Sequence, residues 1–295
     1  MHFLPLSFLL LVLTACKPDD KTVVNSPVPT FGAPVRVVVN GYSGNLMEPF
    51  LSRDGKILLF NNLNAAPENT NLHWATRIND SVFEYKGEIA GVNTPDLEGV
   101  PTMDNGNNLY FVSTRSYANS LSTLYQSNFN AGTATNVKLV DGVSRLTGGW
   151  VNFDVEVSAD GQTLYFVDRQ FGSSPNSTSA DLVIAKKAGT GFQRLDNSAD
   201  LMQNINTTGL EYAACISVNQ LEFYFTRIRL PITANTIPEI FVATRKSIND
   251  PFGVPVKITS ITGFAEAATI SPDQQRIYYH KKENGIFVLY MVKKM

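Results

Sequence analysis

Between residues 31 and 295 short apolar runs alternate with polar turns, and one pattern returns five times. It reads EPFLSRDGKILLF at 48–60, EGVPTMDNGNNLYF at 98–111, DVEVSADGQTLYF at 154–166, AACISVNQLEFYF at 213–225 and AATISPDQQRIYY at 267–279. Each copy is a short alternating strand ending in Ser or Thr, a polar turn, then a hydrophobic strand closed by an aromatic. The Ser/Thr markers are Ser52, Thr102, Ser158, Ser217 and Ser271. Asp54-Gly55 and Asp160-Gly161 are tight-turn chemistry, because Gly accepts a positive φ and Asp bonds its own backbone. A third run follows each pair (71–77, 123–129, 181–187, 239–245 and 286–294), and a fourth follows in four of the five (83–89, 136–142, 192–197 and 252–258). No segment keeps a helical period, so a helical solenoid is excluded.

Four antiparallel strands in a unit of roughly 50 residues predict a β-propeller blade. The last unit has only three runs before Met295, and the missing one stands at the other end. Phe31-Gly32-Ala33-Pro34-Val35-Arg36-Val37 repeats the pattern of Phe252-Gly253-Val254-Pro255-Val256-Lys257-Ile258. The expected fold is therefore all-β: a five-bladed propeller over 31–295, closed by the N-terminal strand joining the last blade. Such closure removes two free sheet edges.

The S-x-D-G-x-x-L-Y-F core and the D-[LI]-x-V-A-T-R strand that follows it resemble the TolB-type, WD-like propeller repeats of bacterial envelope proteins. The resemblance spans nearly all of 31–295. Units four and five depart from it, since Val218-Asn219-Gln220 and Asp273-Gln274-Gln275 lack the turn glycine. What the resemblance implies is a non-catalytic binding or scaffold module for a protein or glycan partner of the envelope.

The N-terminus bears on the compartment. Phe3 to Leu13 is an apolar run too short to span a bilayer, and Leu13-Thr14-Ala15-Cys16 resembles a bacterial lipobox. Residues 1–15 are read as a lipoprotein signal peptide and Cys16 as the acylated N-terminus. The polar, Pro-interrupted stretch 16–30 is read as a flexible tether. The expected location is lipid-anchored to a bacterial membrane. Lys17 after the Cys resembles an outer-membrane sorting signal, and KPDDK resembles surface-export tags. Cys215 is the only other cysteine, so no intrachain disulfide staples the mature chain, and its apolar surroundings mark it as a buried thiol.

Charge removes some partners. The formal net charge of −2 gives no general attraction to nucleic acid or anionic lipid. No G-x-S-x-G elbow, P-loop or dinucleotide fingerprint is present. His73 and His280 read as surface or packing residues. The chain is expected to be a monomer.

Candidate chemistry lies in acids at or just before each first strand: Glu48, Glu98, Asp154 with Glu156, Glu211 and Glu266. First strands line a propeller's channel, so these should ring its mouth, on the face that carries the long connections. Arg115, Arg169, Arg227 and Lys281, at the ends of second strands, should neutralise them within each blade, since packed carboxylates raise one another's pKa. The first blade ends in Asn61-Asn62, which leaves Glu48 without a cationic partner and makes it the leading contact for a ligand. No cofactor is called for; a cation such as calcium is the one candidate at the mouth. The alternative to a binding module is a glycoside hydrolase working through Glu48, Asp154 and Glu211, because paired carboxyls about 5–10 Å apart perform that chemistry.

Overall fold

The computed structural model describes residues 27–64, 69–171 and 180–295; the signal segment, Cys16 and most of the tether lie outside them, as do parts of two long connections. The described chain is all-β, with two single-turn helices, α1 (Tyr117–Ser120) and α2 (Ser198–Leu201). After β1 (Val35–Asn40) the strands fall into five units. The first is β2 (Met47–Leu51), β3 (Ile57–Asn61), β4 (Leu72–Arg77) and β5 (Val82–Glu88). The second is β6 (Glu98–Met103), β7 (Asn108–Ser113), β8 (Leu124–Asn130) and β9 (Thr133–Leu139). The third is β10 (Trp150–Val157), β11 (Thr163–Gln170), β12 (Ala180–Ala188) and β13 (Gly191–Arg194). The fourth is β14 (Leu210–Ile216), β15 (Glu222–Ile228), β16 (Glu239–Thr244) and β17 (Val256–Lys257). The fifth is β18 (Ala265–Ile270), β19 (Arg276–Glu283) and β20 (Ile286–Lys293). Within each unit successive strands pair antiparallel.

The fourth strand of the fifth unit is β1, which pairs antiparallel with β20 (Val35↔Met291, Val37↔Leu289). Its far half pairs parallel with β5 (Val38↔Val82, Asn40↔Glu84), so the first and fifth units share one eight-stranded sheet. Upstream, Phe31 bridges Lys294, and the Met295 amide donates to the Thr30 carbonyl. Residues 30–40 are thus built in beside residues 293–295, which leaves both β20 and β5 covered.

The core is not one lump. It divides into five apolar clusters, each between two units: Phe50, Leu59 and Phe111 between the first and second, Tyr110, Val157 and Phe166 between the second and third. Tyr165, Ile216 and Phe223 pack the third on the fourth, Tyr224, Ile270 and Tyr279 the fourth on the fifth. Val37, Leu58, Phe60 and Tyr278 pack the fifth on the first. The first strands β2, β6, β10, β14 and β18 also touch in cyclic order, β18 meeting β2.

The turn after each first strand explains the repeat. Ser52, Ser158, Ser217 and Ser271 each accept, on Oγ, the amide five residues on, at 2.9 Å in all four. In the second unit this place belongs to Asp104, whose Oδ1 accepts from the Gly106 and Asn108 amides (2.8 and 2.9 Å). The marker there is therefore Asp104, not Thr102. A carboxylate can accept several amides at once, so it replaces the Ser-with-Asp or Ser-with-Asn arrangement of the other turns. Loss of the turn glycine in the fourth and fifth units does not change the backbone: Gln220 and Gln274 take φ of 59° and 58°, beside 72° for Gly55 and 69° for Gly161.

Closure through β1 has a direct consequence. Deleting residues 17–30 should leave the melting temperature nearly unchanged, whereas deleting 17–40 removes the buried Val37 and Val39 and bares two strand edges. The longer deletion should unfold or aggregate. Equal thermal melts for the two truncations would refute a structural role for β1.

Candidate functional site

Each first strand carries a register shift at the same point. The residue at the shift has positive φ in every unit: Glu48 (46°), Val100 (53°), Asp154 (50°), Ala213 (53°) and Ala267 (56°). A left-handed non-glycine residue costs roughly 1–2 kcal/mol, and here a bulge uses it to re-aim a side chain. Four of the five bulge amides are captured by side chains of the preceding unit. Glu48 N donates to His280 Nδ1 (3.1 Å), Val100 N to Asn61 Oδ1 (3.1 Å), Ala213 N to Asp154 Oδ2 (2.9 Å) and Ala267 N to Thr226 Oγ1 (3.1 Å).

Aligned on the bulge, the six acids expected at one ring occupy different positions. Glu98 and Glu211 stand two residues before it and turn sideways into their own units. Glu98 meets Arg115 at 3.1 Å and accepts from Thr94 N and Oγ1 and Ser113 Oγ. Glu211 meets Arg227 at 2.7 Å and accepts from Thr207 N and Oγ1. Both carboxylates are fully buried, so these pairs anchor the connections before β6 and β14. Glu211 therefore lies outside the set of carboxylates that line the mouth.

Glu156 stands two residues after the bulge, deeper along the channel. It pairs with Arg53 (2.9 Å) and accepts from Thr102 Oγ1 (2.6 Å). Arg53 comes from the first unit's turn, donates to the Met103 and Val157 carbonyls, and lies over Phe50. Both members of the pair are buried. Below the bulges Cys215 is buried, its Sγ accepting the Ile270 amide at 3.3 Å, and burial pushes the thiol pKa far up.

The remaining three converge. Glu48, Asp154 and Glu266 line a cavity of about 370 Å³ with Asn64, Phe153, Arg169, Phe171 and Tyr212. Glu48 accepts from Asn64 Nδ2 (2.8 Å), and Asn61 Nδ2 holds the Asn64 oxygen (2.7 Å). Its partner is a neutral amide, which solvates without neutralising. Glu266 accepts from the Tyr212 hydroxyl and lies 3.2 Å from His280 Nε2. Since the Glu48 amide donates to His280 Nδ1, the ring proton belongs on Nε2, facing Glu266. Burial drives the Glu48 carboxyl well above the usual range, with help from Asp154 and Glu266. Burial likewise pushes Asp154 up to about 7, Glu266 adding to it while the Ala213 amide opposes. The Tyr212 hydroxyl is raised too, first by burial and then by Glu266.

Arg169 does not neutralise Asp154. In the β10–β11 register Asn152 faces Asp168, the position that Arg227 holds opposite Glu211 in the fourth unit. Arg169 is one residue further on, and a one-residue step in a strand reverses the side chain. It stacks on Phe171 at 4.4 Å and lines the cavity. Asp168 takes the ion pairs instead, with Arg145 (2.9 Å) and Arg194. Lys281 likewise faces Ala265 while His280 faces Glu266.

Sequence reasoning missed His280, Tyr212, Asn64 and Phe171. Neither histidine is at the surface: His280 is fully buried, and His73 packs against Phe60 with Nδ1 2.9 Å from the Tyr85 hydroxyl. The Asn61-Asn62 departure was the one usable signal, since Asn61 positions Asn64. Among the described residues no three His, Cys, Asp or Glu side chains are arranged to hold a metal ion, so a calcium site gains no support from the geometry. No helix among them is long and apolar enough to cross a membrane.

No family model matches the sequence, and no curated protein matches it either. Solved structures do. A family 117 glycoside hydrolase from the marine bacterium Zobellia galactanivorans is similar over 92% of this chain and 91% of its own, at 10% identity and a TM-score of 0.58. Another glycoside hydrolase is similar over 92% of each chain, at 11% identity and a TM-score of 0.53. TolB from Acinetobacter baumannii is also among the structural neighbours, over 85% of this chain, at 14% identity and a TM-score of 0.47. The chain spans only 55% of that TolB. At these identities the likeness is one of fold.

The sorting of the acids can be measured. Glu98→Gln and Glu211→Gln each leave an arginine without its buried counter-charge and should cost about 1–3 kcal/mol. Glu48→Gln keeps an acceptor for Asn64 and removes repulsion, so stability should hold or rise slightly. A thermal melt in which all three fall alike would end the distinction.

Asp154 predicts a pH dependence of definite sign. Its carboxyl keeps a proton in the folded state up to about 7, against an ordinary value of 3.8. The stability this lends is full below the ordinary value and is lost as pH rises through about 7. Asp154→Asn should therefore gain on the wild type by about 2–4 kcal/mol between pH 4 and 8. Parallel stability-against-pH curves from urea titrations would overturn this.

Proposed function

We propose that the five units are the blades of a closed five-bladed β-propeller, tethered through residues 16–30 to a lipid on Cys16 in the bacterial envelope. The blade reading is supported by five inter-unit clusters and the cyclic contact of the first strands. The anchor rests on the Leu-Thr-Ala-Cys sequence alone. The module binds a glycan segment in the mouth cavity.

One observation carries the glycan reading: three carboxyls, of which Glu48 and Asp154 have no ion-pair partner among the described residues and Glu266 faces only His280, share a cavity with a tyrosine, two asparagines and two phenylalanines. Its volume of about 370 Å³ lies within the range of small-molecule sites, about 300–1,000 Å³. Carboxyl and amide groups recognise sugar hydroxyls, and aromatic walls take the apolar face of a ring. Stacking three acids in one buried place costs stability, and a ligand offering donors offsets that cost.

A second reading, glycoside hydrolysis, is favoured by one further observation. Glu48 and Asp154 line the same cavity, both are raised chiefly by burial, and Asp154 adds to the rise at Glu48. Two carboxyls that their surroundings set apart are what the reaction uses.

Titration calorimetry of the 17–295 chain against oligosaccharides, with product analysis of the same mixtures, tests both. Binding without cleavage is the expected outcome, and Glu48→Gln should weaken it at least tenfold. Cleavage that Glu48→Gln and Asp154→Asn abolish would establish the second reading. In cells, Cys16→Ser should leave the protein unprocessed or released from membranes, and membrane-bound wild type with an unmodified Cys16 would refute the anchor.

A further inference from the structure

We propose that Arg169 is a carboxylate-recognition residue, and that the glycan taken by the mouth cavity carries a uronic acid. The inference rests on the glycan reading and names the chemical class of its ligand. Four observations carry it. Arg169 is the only basic side chain lining the cavity among the described residues. Its Nε–H is shut from water and has no acceptor. Its guanidinium is held over Phe171, 4.4 Å from the ring centroid. And it forms no ion pair among the described residues, although Arg115, Arg227, Arg145 and Arg194 are each committed to a carboxylate.

A guanidinium that lines a cavity and has no carboxylate of its own is where a ligand's anionic group would find its counter-charge. The two terminal nitrogens of a guanidinium form a fork that matches the two oxygens of a carboxylate. The protein's own acids do not satisfy it. Burial alone acts on Arg169, and it is not among the charges that set Glu48 or Asp154. The cavity therefore has two ends. Glu48, Asp154, Glu266, Tyr212 and Asn64 form a hydroxyl-binding end; Arg169 on Phe171 forms an anion-binding end. A sugar with a ring carboxylate spans both, its hydroxyls toward the acids and its carboxylate on the guanidinium.

The test pairs oligo-uronides of two or three rings with the same oligomers after reduction of their carboxyls to alcohols. Both sets are titrated into the wild type and into Arg169→Gln and Arg169→Lys chains of wild-type melting temperature. The wild type should prefer the uronides at least tenfold. Arg169→Gln should erase that preference without weakening the reduced oligomers, and Arg169→Lys should keep part of it. Equal binding of uronide and reduced oligomer overturns the inference and leaves the glycan reading standing. A preference that survives in Arg169→Gln also overturns it, because the carboxylate is then read elsewhere. Binding of neither set removes the glycan reading and this inference together.

Discussion

The architecture depends on one recurring interaction, the capture of a strained backbone amide at the bulge of a first strand by the unit before it. Each bulge holds a non-glycine residue at positive φ, a conformation that persists only when the surroundings enforce it. His280, Asn61, Asp154 and Thr226 supply that enforcement for the first, second, fourth and fifth units. The bond is short-range and directional, whereas the apolar clusters between units are broad and tolerant of sliding. The clusters hold neighbouring units together; the captured amide sets the height at which one first strand stands beside the next.

The same interaction produces the site. A bulge turns its side chain out of the alternation that would otherwise bury it between units, and at Glu48 and Asp154 that side chain is an acid. Asp154 serves both purposes at once: its carboxylate caps the Ala213 amide and faces the cavity. His280 does likewise, joining the Glu48 amide to the Glu266 carboxylate through its two ring nitrogens. Groups that fix the bulges therefore also hold the acids of the cavity in place. Two residues beyond the bulge of β10, Glu156 is held by Arg53.

The contrast among the arginines follows from parity. Arg227 faces Glu211 across a strand pair and neutralises it, whereas Arg169, one step out of that register, enters the cavity with its Nε unpaired. Asp168 in the aligned position reverses the polarity of the third unit and draws in Arg145 and Arg194. Within a repeat that neutralises its own charges, the third unit is the one whose arginine is left over.

The repeat itself was legible in the chain. Alternation of period two, turns built on Ser with Asp, and the likeness of residues 31–37 to 252–258 depend only on local backbone chemistry and on which face is apolar. They located the strand runs and the pairing of β1 with β20. Glu48 was legible as an acid without a cation for the same reason, because Asn61-Asn62 broke the pattern in linear sequence. What the sequence could not carry was the phase of each side chain around the bulge. One extra residue in a strand inverts every side chain beyond it, and that inversion leaves no mark in composition or spacing. Hence Glu98 and Glu211 looked equivalent to Glu266, Thr102 stood in for Asp104, and Arg169 seemed paired with Asp154. Only packing between units decided which acids turn inward, because the amides that select the bulge and the side chains that cap them lie far apart in the chain.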